Sequence, residues 1–309
     1  MILTITLNPA VDKTGVLERL TPGAVNRLSS VRQDPGGKGI NVSKSLRTLG
    51  QESLALGILG GSTGAWVKDA LEGLGIRTDF VLTDLPTRTN LKLVDIAAGE
   101  TTDINEPGRP ADEAALRAVG EKLGRLLGPD DIAVFSGSLP PGVPKSIYAE
   151  WTALCREAGA KAFVDADGES LRLAAGAVPY ALKPNEHELS QLCGRPLKGV
   201  NELAAEGMRL LDTGVRLAAV SMGAEGALFL SEEACWRGYG LKVEARSTVG
   251  AGDAMMAALA YGVHAKLPLR ETARLALALS AASVLQSGTQ GADPAQVKEL
   301  LGRVEIEKL

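Results

Sequence analysis

The chain has 309 residues, of which 45% are hydrophobic and 23% are charged, a balance that supports a large buried core and excludes a disordered chain. The formal net charge of −4 argues against nucleic acid as a partner, because binding to a phosphate backbone requires a basic surface. No uncharged apolar run reaches the length of about 18 residues that a membrane-spanning helix needs, so no membrane partner is expected. The three cysteines, Cys155, Cys193 and Cys235, are odd in number and widely spaced, which predicts reduced thiols in a cytoplasmic protein.

Apolar segments of strand length alternate with amphipathic segments of helix length along the chain. Predicted strands cover residues 2–7, 53–58, 132–136, 162–165, 181–183, 217–221 and 226–230. Predicted helices cover residues 40–49, 63–74, 112–127, 146–158, 186–193, 200–212 and 252–265. Because most of these strands are apolar throughout, helices are expected on both faces of a mostly parallel sheet. The predicted fold is therefore a three-layer α/β/α sandwich.

Two regions, residues 10–33 and 86–106, interrupt this alternation. Each contains a short segment of alternating polarity, at residues 25–31 and 90–96, with turns on either side. Such segments are typical of strands with one face in solvent. We expect them to form one small β-sheet lid on a single α/β domain that spans residues 1–309.

Many of the 36 glycines cluster in three loops, at residues 35–41, 136–142 and 247–253. Glycine lets the backbone approach a ligand closely, and loops at the carboxyl ends of strands are where open α/β sheets bind ligands. The third loop opens a predicted helix, whose first N–H groups and dipole favour an anion. These loops predict a site for a phosphorylated ligand.

The first glycine loop fits neither of two familiar phosphate-binding motifs. Val42 stands where a dinucleotide fingerprint needs its third glycine, and Gly39 follows Lys38 where a Walker A loop needs Ser or Thr. An NAD-dependent oxidoreductase is therefore not predicted.

Seven segments, taken in order, resemble the sugar kinase family that includes ribokinase, and within it the phosphofructokinase B branch. They are residues 8–12 (NPAVD), 36–42 (GGKGINV), 87–90 (TRTN), 136–142 (SGSLPPG), 183–188 (KPNEHE), 221–227 (SMGAEGA) and 248–253 (TVGAGD). The resemblance covers nearly the whole chain and implies a ribokinase-like fold. It also implies phosphorylation of a sugar phosphate, with ATP and Mg²⁺ as cofactors.

The resemblance implies that Asp253 is the base that accepts the proton of the acceptor hydroxyl. The amides of Gly250, Ala251 and Gly252 would face the charge that develops on the phosphoryl group, which agrees with the helix N-terminus expected there. The plainer alternative is a first-turn carboxylate that only stabilises the helix dipole.

For the nucleotide, the resemblance implies contacts from residues on three segments: Lys183, Asn185 and Glu188; Ser221, Gly223 and Gly226; and Thr248. Asn185 and Glu188 would organise Mg²⁺ through water, as suits a cation that keeps oxygen ligands and waters. The alternatives are a capped surface helix at residues 185–188 and a plain hairpin turn at residues 221–226.

For the acceptor, the resemblance implies that Asp12 and Asn41 bind sugar hydroxyls and that Gly37 and Gly39 allow close approach. Phosphate binding is expected from Arg88 and Lys38, because a sugar phosphate needs cations near it. Further expected contacts come from Ser138 and Asn105, and Arg27 is a weaker candidate with an exposed, solvated charge as its alternative.

Residues 23–27 and 100–108 look most like those of branch members that act on fructose 1-phosphate. The expected reaction therefore gives fructose 1,6-bisphosphate, with tagatose 6-phosphate or fructose 6-phosphate as alternative acceptors. A non-catalytic sugar-phosphate or nucleotide sensor is the alternative from another class. The resemblance also implies a homodimer that pairs through the lid. Ser247 stands where the wider family has Asp, so the sequence makes no prediction about a monovalent-cation site.

Overall fold

The structure, a computed structural model, describes residues 1–309 as fifteen strands and ten α-helices. The strands are β1 (Ile2–Thr6), β2 (Ala10–Leu17), β3 (Ser30–Gly36), β4 (Leu54–Gly60), β5 (Arg77–Thr78), β6 (Val81–Thr83), β7 (Arg88–Asp95), β8 (Glu100–Asn105), β9 (Ile132–Ser136), β10 (Lys161–Asp165), β11 (Ala181–Leu182), β12 (Leu217–Ser221), β13 (Gly226–Leu230), β14 (Cys235–Tyr239) and β15 (Ile306–Lys308). The helices are α1 (Lys38–Thr48), α2 (Gly61–Gly73), α3 (Glu113–Leu126), α4 (Ile147–Glu157), α5 (Gly168–Gly176), α6 (Glu186–Cys193), α7 (Gly199–Asp212), α8 (Ala251–His264), α9 (Leu269–Val284) and α10 (Pro294–Leu301).

The large sheet has the strand order β15-β14-β13-β12-β11-β10-β9-β1-β4-β5, with β6 also paired to β4. Pairing is parallel from β12 through β1 to β4, and antiparallel from β12 to β15. The predicted mostly parallel sheet is confirmed. Its parallel strands all end at one edge, which fixes where a ligand site can form.

Helices cover both faces of this sheet, as the apolar strands predict. In β9, Ala133 and Phe135 join a core with residues of α3 to α7, whereas Ile132 and Val134 join the opposite core with residues of α1 and α8 to α10. Alternate residues of a strand point to opposite faces, so a strand with two covered faces is apolar at every position. The three-layer α/β/α sandwich is confirmed.

A second sheet of four strands, in the order β3-β2-β7-β8, is built from the two regions that interrupt the alternation. Strand β2 pairs antiparallel with β3 and parallel with β7, and β7 pairs antiparallel with β8. We call this sheet the lid. It brings Asp12 and Asn90 into register with each other.

The predicted strand at residues 25–31 is wrong, because the chain remains a loop until β3 begins at Ser30. Asn26 closes a turn there: its amide nitrogen donates to the carbonyls of Thr21 at 2.9 Å and Ala24 at 3.0 Å. A short polar side chain that bonds to nearby backbone favours a turn over a strand. Helices α5 and α10 were not predicted.

No helix has the length and apolar character needed to span a membrane.

Candidate active site

The carboxyl ends of the parallel strands meet at a cavity of about 540 Å³. Ser136 ends β9, Asp165 ends β10, and Lys183 follows β11 directly, and all three line the cavity. Only two of the 29 lining residues are hydrophobic, so the cavity suits a polar, charged ligand rather than an apolar one.

The N-terminus of α8 faces this cavity. Gly250 precedes the helix with a φ of 93°, in the left-handed region that favours glycine. The first hydrogen bond of the helix joins the Ala254 amide to the Gly250 carbonyl, so the amides of Ala251, Gly252 and Asp253 have no partner within the helix. Free amides and the helix dipole make this terminus a site for an anion.

Asp253 lies in the first turn of α8 with only 5% of its surface exposed. Its Oδ2 accepts a hydrogen bond of 2.8 Å from the Nδ2 of Asn41. Burial, and the negative charge of Asp165 nearby, raise the pKa of the Asp253 carboxyl to about 6. A carboxylate with that pKa is ionised at neutral pH and is still basic enough to take a proton from a hydroxyl in a transition state.

Asp165 forms ion pairs with two lysines beside Asp253. Its Oδ1 lies 3.1 Å from Lys38 Nζ and its Oδ2 lies 3.1 Å from Lys183 Nζ, and 1% of Asp165 is exposed. Burial opposes ionisation of this carboxyl, but the two ammonium groups outweigh it and hold the pKa of Asp165 below its ordinary value. Asp165 in turn raises the pKa of Lys38 against the effect of burial, so the Lys38 ammonium group stays cationic at the cavity.

Asp12 presents its carboxylate to the cavity from the lid strand β2. Its Oδ1 accepts from Asn90 Nδ2 at 2.9 Å, and its Oδ2 accepts from Thr289 Oγ1 at 3.3 Å. A Cβ at Gly36 would overlap this carboxylate, so a larger residue there would displace the Asp12 side chain. Glycine is required at position 39, because a Cβ at Gly39 would lie 2.6 Å from the Ile5 carbonyl.

Arg88 is held in place by backbone oxygens at the rim of the cavity. Its Nη1 donates to the Glu106 carbonyl at 2.6 Å, and its Nη2 donates to the Asn8 carbonyl at 3.2 Å. Asn8 also donates through Nδ2 to Ser138 Oγ at 3.3 Å. Burial lowers the pKa of Arg88, yet a guanidinium remains charged at any ordinary pH.

Asn185 and Glu188 form a capping box at the start of α6. The Asn185 side chain accepts from the Glu188 amide, and Glu188 Oε2 accepts from the Asn185 amide, both at 2.8 Å. Both residues also line the cavity, so the cap and a role at the site are compatible. No group of three acidic, His or Cys side chains is arranged to hold a metal ion. The residues at the cavity would therefore hold Mg²⁺ only through one or two carboxylates, with phosphates and water as its other ligands.

Buried polar atoms without a hydrogen-bond partner concentrate at this cavity. Five such atoms belong to residues that line it: Thr6, Asn41, Arg88, Asn90 and Ser136. Since the great majority of buried polar atoms in proteins are hydrogen-bonded, this concentration indicates a surface built to bind a polar ligand.

The structure brings most of the sequence-predicted site residues together. The cavity is lined by Asp12, Gly37, Lys38, Asn41, Arg88, Asn105, Ser138, Lys183, Asn185, Glu188, Ser221, Gly250, Gly252 and Asp253. It is not lined by Gly39, Gly223, Gly226, Thr248 or Ala251. Arg27 is exposed in the loop before β3 and lies outside the cavity.

Several cavity residues were missed as site residues. Asp165 and Thr6 each end a parallel strand of the large sheet, and that position was the available signal. Thr289 had none, because it follows no motif and meets Asp12 across 277 residues of chain.

The protein has a ribokinase-like α/β fold, with a lid and a polar cavity at the carboxyl edge of its sheet. These features place it in the class of sugar kinases. The chain belongs to the pfkB family of carbohydrate kinases, whose model matches residues 3–296.

Two curated relatives are 1-phosphofructokinases. That of Xanthomonas campestris pv. campestris is 41% identical over 98% of this chain and 97% of the relative, and that of Bacillus subtilis is 35% identical over the full length of both. Among solved structures, phosphofructokinase-2 from Escherichia coli in complex with fructose-6-phosphate superposes with a TM-score of 0.92, at 28% identity over 98% of each chain.

Replacing Asp165 with Asn removes the counter-charge of two lysines, one of them the buried Lys183. We expect Asp165→Asn to lower the free energy of unfolding by about 3–5 kcal/mol, because a buried charge is left unpaired. Denaturant unfolding measures this loss. Asp130→Asn is the matched control, since its ion pair with Lys161 is exposed and should contribute less than about 1 kcal/mol. Equal losses in the two variants would contradict the assignment.

Proposed function

We propose that this protein transfers the γ-phosphoryl group of ATP to the C6 hydroxyl of fructose 1-phosphate, giving fructose 1,6-bisphosphate and ADP. The observation that carries the proposal is the placement of Asp253, a buried carboxylate at a helix N-terminus, in a cavity that also holds Lys38, Lys183 and Arg88. The full-length similarity to 1-phosphofructokinases supports fructose 1-phosphate as the acceptor.

In this mechanism Asp253 accepts the proton of the C6 hydroxyl while the hydroxyl oxygen bonds to the γ-phosphorus. The bond between the γ-phosphorus and the bridging oxygen breaks, and that oxygen leaves with ADP. The transfer depends on positioning and on stabilisation of charge. The amides of Gly250, Ala251 and Gly252 face the phosphoryl oxygens, and Asn41 orients the Asp253 carboxylate through their hydrogen bond.

The nucleotide would lie between the N-terminus of α8 and the segments at residues 183–188, 221–226 and 248. Lys183 contributes positive charge toward the phosphates, and Ser221, Gly223, Gly226 and Thr248 border their path. Asn185 and Glu188 would hold Mg²⁺ through water, and that ion, when bound, neutralises charge on the phosphates.

The acceptor would lie between the lid and the large sheet. Arg88, Lys38 and Ser138 bind its phosphate, and Asp12 and Asn41 bind its hydroxyls, with Asn105 contacting the sugar from β8. Gly37, which lines the cavity, would keep the start of α1 free of a side chain at the sugar, whereas Gly39 faces the Ile5 carbonyl and lets α1 pack against β1. Closing the lid over the acceptor would exclude water that otherwise hydrolyses ATP.

A comparison of three acceptors tests the substrate assignment. Fructose 1-phosphate, fructose 6-phosphate and tagatose 6-phosphate are assayed with Mg·ATP, and kcat/KM is expected to be at least about tenfold higher for fructose 1-phosphate, a difference of about 1.4 kcal/mol in transition-state binding. A tenfold preference for either 6-phosphate would overturn the choice of acceptor. Absence of transfer to any of them, together with tight binding of sugar phosphate, would support the sensor alternative.

The pH dependence of the reaction tests Asp253. The carboxyl must be ionised to accept a proton, so activity is expected to fall as the pH drops through about 6. Asp253→Asn should lower kcat by about 10²–10⁴-fold while ATP binding, measured by calorimetry, stays near that of the wild type. Comparable turnover in this variant would contradict the role of Asp253 as base.

We further propose that two copies pair through the outer face of the lid. Leu28, Val31 and Ile104 are exposed by 39%, 50% and 53%, and Ile104 lies on the face opposite to its neighbour Asn105, which lines the cavity. Gly15 is three positions from Asp12 on β2 and so faces outward; Leu28, in the loop before β3, packs over Gly15, and Val31 is the register partner of Gly15. Exposed apolar side chains on this side of the lid favour burial against a partner, and a second copy supplies the same apolar face.

Ile104→Lys should therefore shift the protein from dimer to monomer in sedimentation velocity, because a charge would be buried at the interface. Leu82→Lys is the matched control: Leu82 is 64% exposed but lies on β6, outside the lid. A monomeric wild type, or a dimer that both variants keep, would contradict the proposal.

A further inference from the structure

Lys44 is a buried cation that the proposed reaction does not use. It lies in the middle of α1 with 5% of its surface exposed. A buried lysine is rarely kept unless its ammonium group has partners, so its contacts indicate what it does.

Both partners of the Lys44 ammonium are backbone carbonyls. Nζ donates to the carbonyl of Pro35 at 2.7 Å and to the carbonyl of Thr289. Pro35 belongs to the lid strand β3, whereas Thr289 lies in the loop between α9 and α10. One ammonium group therefore joins α1 to the end of β3, nine residues away, and to a loop 245 residues away.

The loop held by Lys44 also contacts the acceptor side of the cavity. The Thr289 hydroxyl donates to Asp12 Oδ2 at 3.3 Å, while the other oxygen of Asp12 accepts from Asn90. Arg32 of β3 donates to the Ser287 carbonyl, and Thr48 of α1 donates to the Ala292 carbonyl at 3.0 Å. Three carbonyls of the loop therefore accept hydrogen bonds from other elements. Lys44 donates to the carbonyl of Thr289, the residue whose side chain reaches Asp12.

We propose that Lys44 is a positioning residue for the acceptor: by binding the Pro35 and Thr289 carbonyls, it fixes the loop at residues 287–289 so that Thr289 orients the Asp12 carboxylate toward the sugar. This inference rests on the proposed function. It assigns Lys44 to the acceptor and not to ATP, and it makes the protonated form of Lys44 the active one, because a neutral amine binds carbonyls less strongly than an ammonium group does.

Titration of Lys44 gives this role a distinctive signature. Burial lowers the pKa of Lys44 to about 8, although the carboxylates of Asp12, Asp34 and Asp253 oppose the shift and Arg32 adds to it. These groups belong to β2, β3 and α8, the elements that carry charge near Lys44. Because the ammonium form is lost as the pH rises through about 8, acceptor binding should weaken above that pH.

Steady-state kinetics of Lys44→Met test the proposal. The KM for the sugar phosphate is expected to rise about tenfold or more, as for loss of a hydrogen bond from a charged group, while the KM for ATP changes less than about twofold. The wild-type kcat/KM for the sugar phosphate should decline above pH 8, and this decline should be absent in Lys44→Met. Lys44→Arg, whose guanidinium does not titrate there, should keep acceptor binding to higher pH.

Two further variants separate positioning from general stability. Arg47→Met removes a cation from the same helix whose guanidinium lies beside Gly75 and does not bond to residues 287–289, and it should leave both KM values unchanged. Thr289→Val keeps the carbonyl that Lys44 binds but removes the hydroxyl that reaches Asp12, and should also raise the KM for the sugar phosphate. If both residues act in one chain of contacts, the double variant should be no worse than the more severe single one.

Lys44→Met with an unchanged KM for the sugar phosphate, an equal rise in both KM values, or an alkaline decline that persists would each overturn the proposal. If Lys44→Met does not fold, the pH profile of Lys44→Arg and the KM values of Thr289→Val decide. The variants are assayed with whichever ketohexose phosphate the wild type converts, so a wrong acceptor assignment is distinguishable from failure of this inference.

Discussion

A buried carboxylate between two ammonium groups organises the carboxyl edge of the large sheet. Asp165 pairs with Lys38 from the first glycine loop and with Lys183 from the end of β11. Its negative charge holds both cations at the cavity, and the same charge helps to raise the pKa of Asp253. One group thus holds the two cations that attract phosphates and, together with burial, raises the pKa of the proposed base.

The topology of the fold brings these charged groups and free amides to one place. Parallel strands deliver Ser136, Asp165 and Lys183 to one edge, and the N-terminus of α8 supplies amides at the same place without any side chain. The overall charge of the chain is negative, so the positive charge for a phosphorylated ligand is local. The scarcity of apolar residues in the cavity lining agrees with a ligand held by charges and amides.

Much of the fold could be predicted from sequence because its signals are local, whereas most of the site residues were predicted from the resemblance of seven ordered segments to a known family. Uniformly apolar strands indicated a sheet covered on both faces. The run of residues 248–253 indicated a helix N-terminus with a carboxylate in its first turn. The prediction of a strand at residues 25–31 was wrong because the Asn26 side chain donates to nearby backbone carbonyls and closes a turn. Thr289 and Lys44 were missed because their contacts join segments 277 and 245 residues apart, which no local pattern encodes. Asp165 was also missed, although its place at the end of a parallel strand was a local signal.

The central claim is that burial and the charge of Asp165 make Asp253 a base matched to neutral pH. The direct measurement is the carboxyl titration of Asp253 by carbon-13 NMR of Asp-labelled protein, assigned by the resonance that disappears in Asp253→Asn. We expect this carboxyl to titrate near pH 6. Titration near the ordinary aspartate value of about 4 would contradict it.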